Sequence, residues 1–249
     1  GSGVTWAAAD KGTKMVYSDG TNVVDTAFTD LSSDFSPQLS ADLDANGKNI
    51  TIDTNTGIID ENGNEQIKFS TTGSAVNEFT VANAATGNAP AISVTGGDTN
   101  IDLNLTPKGT GRATFNGQGK IQSVAEKVTT AAVGTTGTVN YDVLTQAVLN
   151  FTSNAAGNYT LNIRGDGSNS LDSIMDTGES ITIAHLVTQG STPYYNNAVQ
   201  IDGSSVTPEY QGGSAPSAGN ASSIDVYTYT VIKTGSATFT VLASQTQFA

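Results

Sequence analysis

The sequence predicts an all-β protein, and three observations support this class. Charged residues make up only 13% of the chain, against roughly a quarter in an average domain, so the strongest helix formers are scarce. Gly, Thr, Ser and Asn take their place, which favours short strands joined by tight turns. Short segments alternate apolar and polar side chains between Gly, Asn, Asp or Pro, and none follows the helical period.

The first element is a β-hairpin segment, which we place at residues 1–30. Strands over Lys14–Tyr17 and Val23–Thr26 flank the sequence SDGTN. The Asp19-Gly20 pair is a strong hairpin signal, because glycine adopts a positive φ at no steric cost. Trp6 is the single tryptophan of the chain, and we expect it to pack against a neighbouring element.

Residues 31–122 are predicted to form a slender stalk that contains repeated short strands. The candidate strands are NITID, GIID, EQIKFS, NEFTVAN, PAISVTG, NIDLNLT and GRATFN. In NEFTVAN, the alternation places Phe79 and Val81 on one face and Thr80 and Ala82 on the other. Each strand therefore offers one apolar stripe.

The stalk has too few large side chains to fold as a single copy. Burial stabilises a protein by roughly 25 cal/mol per Å² of apolar surface, whereas ordering the backbone costs roughly 1–2 kcal/mol per residue. Two arrangements supply the missing core: successive repeats that stack, or identical chains that wrap around one another. We favour the second and expect a homotrimer.

From residue 123 to residue 249 the strands become longer and more apolar. The predicted strands are YDVLTQAVLNFTS, GNYTLNIRG, ESITIAHLVTQG, NAVQIDG, SIDVYTYTVIKT and SATFTVLAS. KTGSA joins the last two as a hairpin, NSLDSIMDTG is expected to form a short helical turn, and TPEYQGGSAPSAGNAS is expected to be a surface connection. About 125 residues are enough for a β-sandwich head, and we expect one of jelly-roll type.

The charge of the chain excludes some partners. The formal net charge is −13, from 23 acidic and 10 basic residues, whereas nucleic acids and anionic membranes attract clustered Lys and Arg. We therefore expect no nucleic-acid partner and no membrane insertion. There is no cysteine, which excludes disulfides and thiolate metal sites. Gly1-Ser2-Gly3 lacks the features of a signal peptide, and we expect it to be a tag remnant or the cut end of a longer chain.

The segment LTPKGTGRATF resembles a phosphate-binding loop only superficially. Such a loop needs a lysine after its glycines and a helix after the lysine. Here Lys108 precedes Gly109 and Gly111, and the residues that follow have a strand pattern. The sequence predicts a turn between two strands, set by Pro107 and the two glycines.

The segment DLDANGKNITID matches the opening of a calcium-binding loop. The matching positions are Asp42, Asp44, Asn46, Gly47 and Asp53. An EF-hand needs flanking helices, and none is predicted here. We favour a plain turn, and we expect no metal and no cofactor.

Two further motifs have plain interpretations. Asp60–Glu65, DENGNE, is expected to be a hairpin turn with solvated charges. Arg164-Gly165-Asp166 forms the tripeptide RGD, but a tripeptide alone is weak support for integrin recognition, and this one precedes a turn sequence.

His185 is the only histidine, and its pattern predicts a structural role. It shares a strand face with Ile181, Ile183 and Val187, so we expect a buried or interface imidazole whose hydrogen bonds are satisfied. A Ser-His-Asp triad would have to use it, yet the nucleophile motif G-x-S-x-G is absent. Glycoside hydrolysis needs only two carboxylates, and no spacing singles out a pair, so this alternative stays open. We predict a non-enzymatic protein.

Tyrosines and amides in two predicted loops of the head are the candidate contact residues. Tyrosine rings and amide side chains hold sugars by stacking and hydrogen bonding; simple packing of the loops is the alternative. The candidates are Tyr194, Tyr195, Asn196, Asn197, Tyr210 and Gln211.

Long parts of the sequence resemble virion proteins of cyanobacterial phages. In the head, the resemblance lies in NIRGDGSNSLDSIMDTGESITIAHLVTQGSTPYY, VTPEYQGGSAPSAGN and SSIDVYTYTVIKTGSATFTVLASQTQFA. Upstream, FTVANAATGNAPAISVTGGDTNIDLNLTPKGTGRATFNG is similar to repeat segments of phage tail fibres, and MVYSDGTNVV is similar to a hairpin unit of such fibres. The resemblance implies a homotrimeric fibre or spike with a distal head.

We therefore expect a phage virion structural protein, a trimeric tail fibre or spike whose head adheres to a glycan or protein of the host surface. Its N-terminal end is expected to join other virion proteins. Two alternatives remain: a capsid-attached head fibre or decoration protein, and a tail-spike polysaccharide depolymerase. A search for new reducing ends after incubation with host polysaccharide distinguishes the depolymerase from a binding protein.

Overall fold

The structure is a computed structural model that describes residues 16–18, 20–25 and 47–249. The chain divides into two units, residues 1–103 and residues 104–249. The described residues form many strands and very little helix, so the predicted all-β class is confirmed.

Some expectations fall on residues that the structure does not describe. Trp6 lies outside the described residues, and so do Asp42, Asp44 and Asn46 of the calcium-like motif. Their predicted roles stay predictions.

The first hairpin forms where the Asp-Gly signal predicts it. β1 (Val16–Ser18) pairs antiparallel with β2 (Val23–Asp25). Gly20 has a φ of +89°, a value that glycine adopts readily, and its N–H donates to the Ser18 hydroxyl at 3.2 Å. The hairpin itself is confirmed.

The second hairpin joins β3 (Thr56–Ile59) to β4 (Glu65–Phe69). The carboxylate of Asp60 organises the turn, because it accepts backbone N–H groups from Asn62 at 2.9 Å and Asn64 at 2.8 Å. These bonds, with Asn64 contributing most, lower the pKa of Asp60. The predicted turn at DENGNE is confirmed.

The third hairpin joins β5 (Asn77–Ala82) to β6 (Ala91–Gly96) in antiparallel register. Its two faces differ in chemistry. The apolar face carries Phe79, Val81, Ile92 and Val94. On the other face, the hydroxyls of Thr80 and Thr95 lie 2.8 Å apart. The alternation predicted for this segment is confirmed.

Three predicted strands of the stalk are wrong. NITID, NIDLNLT and GRATFN form no ladder in the described chain. An isolated strand leaves its backbone N–H and C=O groups without partners, so alternation alone does not make a strand. The sequence pattern is present at these segments, but no second strand of the same chain pairs with it.

The second unit contains two sheets and one short helix. In chain order its elements are β7 (Val128–Ala131), β8 (Gly137–Asp142), β9 (Val148–Phe151), β10 (Tyr159–Arg164), α1 (Leu171–Ile174), β11 (Ser180–Thr188), β12 (Asn196–Ile201), β13 (Ser204–Val206), β14 (Glu209–Tyr210), a 3₁₀ turn (Gln211–Gly213), β15 (Ile224–Gly235) and β16 (Thr238–Phe248). The four-stranded sheet has the order β13-β12-β10-β8, and the six-stranded sheet has the order β14-β16-β15-β11-β9-β7.

The predicted strand YDVLTQAVLNFTS is divided in the structure. It contributes the end of β8 and all of β9, with a turn between them in which the Thr145 N–H donates to the Asp142 carbonyl at 2.9 Å. The short strands β7, β13 and β14 were not predicted. The helical turn at NSLDSIMDTG and the hairpin at KTGSA are confirmed.

The jelly-roll expectation is wrong. A jelly roll is an antiparallel architecture, whereas β10 pairs parallel with both β8 and β12, and β9 pairs parallel with both β7 and β11. From β7 to β12 successive strands alternate between the two sheets. Sequence alternation shows where strands lie, but it does not specify which strands pair. When the chain crosses to the other sheet and then returns, the returning strand lies parallel to the previous strand of its own sheet.

The inward faces of the two sheets form one core. Leu161 and Ile163 of β10 and Val231 of β15 are fully buried in it. Four buried tyrosines add polar atoms to this core: Tyr141, Tyr159, Tyr227 and Tyr229. The second unit is therefore a two-sheet sandwich with an aromatic interior.

The short helix α1 is held at both ends by side chains. The carboxylate of Asp202 accepts the N–H groups of Leu171 at 2.7 Å and Asp172 at 3.0 Å. At the other end, the buried Lys233 donates to the Met175 carbonyl at 2.9 Å. These contacts satisfy helix-end groups that have no partner within the helix. Within the described residues, no helix is long and apolar enough to span a membrane.

Candidate functional site

The loop from β11 to β12 carries Tyr194 and Tyr195, and a buried glutamine holds it. The Gln189 side chain donates to the Tyr194 carbonyl at 2.6 Å and accepts the Tyr194 N–H at 2.9 Å. The Tyr195 N–H donates to the Asn158 side chain at 3.1 Å. Both tyrosines are half-buried and pack against the core, so their backbone is fixed by neighbouring elements.

Asn196 is a buried structural residue, and the expectation that it contacts a receptor is wrong. Its side chain is 1% exposed. Its amide donates to the carbonyls of Tyr159 at 3.0 Å and Ala198 at 2.8 Å and accepts the Tyr229 hydroxyl at 2.9 Å. The two adjacent asparagines suggested a loop, but Asn196 begins β12 and its side chain joins the two sheets.

The remaining candidates differ in exposure. Asn197 and Gln211 are exposed, and Tyr210 is half-buried. Tyr210 pairs with the buried Ala243 in the parallel β14–β16 ladder and packs against the core. Burial raises the pKa of its phenol. Asn197 and Gln211 are therefore the candidates whose side chains are freely presented.

The structure brings the two candidate segments close to one buried ring. Burial raises the pKa of Tyr227; the Asn196 N–H opposes this rise, and Asp225 and the phenols of Tyr210 and Tyr195 add to it. The Tyr227 hydroxyl also accepts the Asn196 N–H at 3.3 Å. Segments more than ten residues apart in sequence thus lie around the same tyrosine.

A buried polar pair beneath these segments was not predicted. Gln189 is 2% exposed and Asp225 is 0% exposed, and the Gln189 amide donates to the Asp225 carboxylate at 2.9 Å. The Asn220 N–H donates to the same carboxylate at 3.1 Å. Burial raises the pKa of Asp225, and the bonds from Asn220, Gln189 and Gln245 partly oppose this rise. The pair ties the Tyr194 loop to the loop before β15.

Gly219 allows these two loops to approach. A Cβ atom at this position would overlap the Tyr194 carbonyl oxygen and would lie 2.8 Å from the Asp225 carboxylate and 2.9 Å from the Gln189 amide nitrogen. A glycine is needed here for close approach of the backbone rather than for a special φ. The sequence signal that was available is Asp225 itself, a charged residue on the inward face of IDVYTYTVI.

His185 is fully buried, as its strand face predicts. Its ring packs edge-on against Phe151 at 5.1 Å and Tyr159 at 5.4 Å between ring centroids, and its Nδ1 lies 3.2 Å from the Tyr159 hydroxyl. Its Nε2 has no hydrogen-bond partner in the described chain, so the expectation of a fully satisfied imidazole is wrong. Burial lowers the pKa of His185 to about 3, and a neutral ring without a carboxylate partner has no triad geometry.

The KGTG segment is a turn, as predicted, but it does not join two strands. The Gly111 N–H donates to the Lys108 carbonyl at 3.1 Å. Arg112 then donates to the Glu179 carboxylate at 2.6 Å and to Asp176 at 2.9 Å. This segment covers a hollow of about 490 Å³ whose floor is mainly apolar and includes Leu171. Arg112 is thus paired with carboxylates, and the turn lacks the helix that follows a phosphate-binding loop.

The RGD tripeptide is engaged within the protein. The Arg164 Nε donates to the Asp142 carboxylate at 2.6 Å, which raises the pKa of Arg164. Asp166 accepts the N–H groups of Ser168 and Asn169, each at 2.7 Å. Both charged groups therefore have structural partners.

The candidate contact residues carry groups that can bind a partner by contact. Among the described residues, no group of three or more His, Asp or Glu side chains is arranged to hold a metal ion. The candidate segments offer the half-buried rings of Tyr195 and Tyr210 and the exposed amides of Asn197 and Gln211, side chains suited to stacking and hydrogen bonding. Comparisons of this chain with protein-family models, with curated proteins and with solved structures found no match.

Proposed function

We propose that this chain is a structural protein of a phage particle, a trimeric fibre or spike whose C-terminal head adheres to the host surface. The proposal rests on the resemblance of its segments to phage fibre proteins, together with the contrast between its two units. The first unit would belong to a slender repeat stalk that three chains build together. The head would sit on the virion surface and bind a host glycan or protein.

One observation supports the trimer: three large side chains on the apolar face of the third hairpin are more than half exposed. Val81 is 72% exposed, Ile92 62% and Phe79 54%, although all three share one face. A lone two-stranded hairpin is marginally stable in water. Burying each of these side chains would contribute roughly 1.5–3 kcal/mol, and the same hairpin on two sister chains is the simplest source of that cover.

The second hairpin repeats this pattern. Ile58 and Ile67 lie opposite each other, and each is about half exposed. Successive hairpins with uncovered apolar side chains fit a stalk whose interior forms between chains. The head, by contrast, has a core of its own.

The head fits an adhesive role because its candidate contact residues rest on a fixed scaffold. The buried amides of Gln189 and Asn196 hold the Tyr194 loop and the start of β12 in place, which lowers the ordering cost of binding. Modest affinity per head would be raised by avidity when three heads engage one surface.

The contact surface is tested with its two exposed amides. Asn197→Ala combined with Gln211→Ala removes exposed side chains that do not pack in the core, whereas alanine at Tyr194 or Tyr195 would also disturb core packing. Each lost hydrogen bond is worth about 0.5–1.5 kcal/mol, so adsorption to host cells should weaken several-fold. Ser236→Ala, exposed in the β15–β16 turn, is the matched control. Unchanged adsorption by the double variant would reject this contact surface.

A further inference from the structure

The outer face of the six-stranded sheet, the side away from the core, is almost uncharged. Apolar side chains on it include Val148, Ala184, Leu186, Val226, Leu242 and Phe248. Most other positions carry threonine or serine, such as Thr182 and Thr230, whose hydroxyls lie 3.0 Å apart. Within the described sheet, Glu209 at the β14 edge is the one ionisable side chain that the register places on this face.

The outer face of the four-stranded sheet has the opposite character. Asn162 donates to the Asn140 side chain at 2.9 Å, and Arg164 pairs with Asp142. An antiparallel or mixed sheet that meets water on one side normally shows polar residues there. The four-stranded sheet follows this rule with charged and amide side chains, whereas the six-stranded sheet mixes its apolar side chains with threonine and serine and carries almost no charge.

The uncovered apolar side chains on the six-stranded sheet are large. Leu242 is 46% exposed and Phe248 is 54% exposed in the single chain. Beside Leu242 lies a shallow depression of about 390 Å³, lined by Thr228, Thr230 and Ser244 and bordered by Glu209. The face thus offers both exposed apolar side chains and a shallow recess.

The occupant that fits this face is a second copy of the same chain. Each copy carries a net charge of −13, so copies repel least when they meet on a surface with very few acidic groups, and this face has Glu209 alone at its edge. The strands are 9, 12 and 11 residues long in β11, β15 and β16. At about 3.3 Å per residue and about 4.8 Å between strands, the face covers roughly 600 Å² with its shorter neighbours, of the order of the 800 Å² that a stable interface takes from each partner.

We propose that the outer face of the six-stranded sheet is the surface through which the heads of sister chains contact one another. This assignment rests on the proposed trimer and adds to it the face that each head turns inward. It leaves the polar outer face of the four-stranded sheet turned to solvent.

The test uses cysteine labelling in the full chain, which has no cysteine of its own. Leu242→Cys places a thiol on the proposed contact face, and Ala198→Cys places one on the exposed outer face of the four-stranded sheet. A bulky maleimide should label Leu242→Cys roughly tenfold or more slowly than Ala198→Cys, since each 1.4 kcal/mol needed to open the contact costs a factor of ten. In concentrated urea the two rates should become equal.

A second cysteine position is included because replacing Leu242 removes an apolar side chain from the proposed contact and would weaken assembly. Thr228→Cys replaces a small side chain on the same face, and it should also be protected in assembled protein. The mass of each variant is measured on the same samples. A trimer in which Leu242→Cys and Thr228→Cys label as fast as Ala198→Cys overturns the face assignment and leaves the trimer standing. A monomer overturns both, whatever the labelling rates.

Discussion

Protonation of one buried residue, His185, should destabilise the head as the pH falls. The imidazole is fully buried between Phe151 and Tyr159, and its pKa is lowered to about 3. In the unfolded chain the same group titrates near 6.5. A folded-state pKa below the unfolded value means that the unfolded chain binds the proton first. Stability from this group is complete above pH 6.5 and is lost as the pH falls towards 3.

The size of this effect follows from the two pKa values. Each pKa unit is worth about 1.4 kcal/mol. Between pH 7 and pH 5 the contribution of His185 to the free energy of unfolding should therefore fall by about 2 kcal/mol, and by pH 4 by about 3 kcal/mol. Domains of this size are typically stable by about 5–15 kcal/mol, so the loss is a large fraction of the total.

Denaturant unfolding of the wild type and of His185→Gln at pH 7, 6, 5 and 4 measures the loss of stability that His185 causes. The variant has no imidazole, so the difference between the two proteins isolates this group from the carboxylates. The carboxylates with lowered pKa values, Asp60, Asp166, Asp172 and Glu179, begin to lose their contribution at a pH of about 4, and they are present in both proteins. The ring resonances of the one histidine report its pKa directly. Titration near 6.5 in the folded protein, or parallel pH profiles for the two proteins, would refute the reasoning.

Three further predictions concern the head. Leu161→Ala, at a fully buried position, should lower the free energy of unfolding by about 2–5 kcal/mol in urea titrations; a loss below 1 kcal/mol contradicts the core position. Gly219→Ala should cost about 1–3 kcal/mol through overlap with the Tyr194 carbonyl and weaken cell adsorption, whereas Gly117→Ala, which has open space around it, should change neither. Burial raises the pKa of Asp225, so ionisation of its carboxyl group opposes folding. As the pH rises through the mildly acidic range, the wild type should therefore lose stability relative to Asp225→Asn. Identical profiles of unfolding free energy against pH for the two proteins contradict this.

Local patterns predicted local structure well. The hairpins at SDGTN and DENGNE, the helical turn at NSLDSIMDTG and the alternation of Phe79 and Val81 depend on residues close in sequence, and all are present in the structure. The burial of His185 followed from the apolar face that it shares with Ile183 and Val187. In each case the information lies within one strand or turn.

What could not be predicted depends on which segments meet. The parallel pairing of β8, β10 and β12 is a matter of long-range partners, so the jelly-roll topology was a wrong inference from correctly placed strands. NIDLNLT alternates well, yet it has no partner strand within the described chain. Alternation is a necessary condition for such a strand, and a paired strand is also needed to provide partners for its backbone N–H and C=O groups.

In the candidate site, too, some features follow from local sequence and others depend on long-range contacts. Asn197 and Gln211 are exposed as a polar loop pattern suggests, but Asn196, one residue away, is buried because its amide joins three groups from different strands. Gln189 and Gly219 have no individual sequence signal. Their role is visible only once the two loops that they hold are brought together.

The central proposition is that the uncovered apolar faces of the first unit are covered by sister chains. The mass of the full chain in solution, measured by sedimentation equilibrium at neutral pH, tests it most directly. Three chains of 25.4 kDa give a particle of about 76 kDa with closed cyclic symmetry, and that is the expected result. A stable, fully folded particle of 25.4 kDa at micromolar concentration would contradict it.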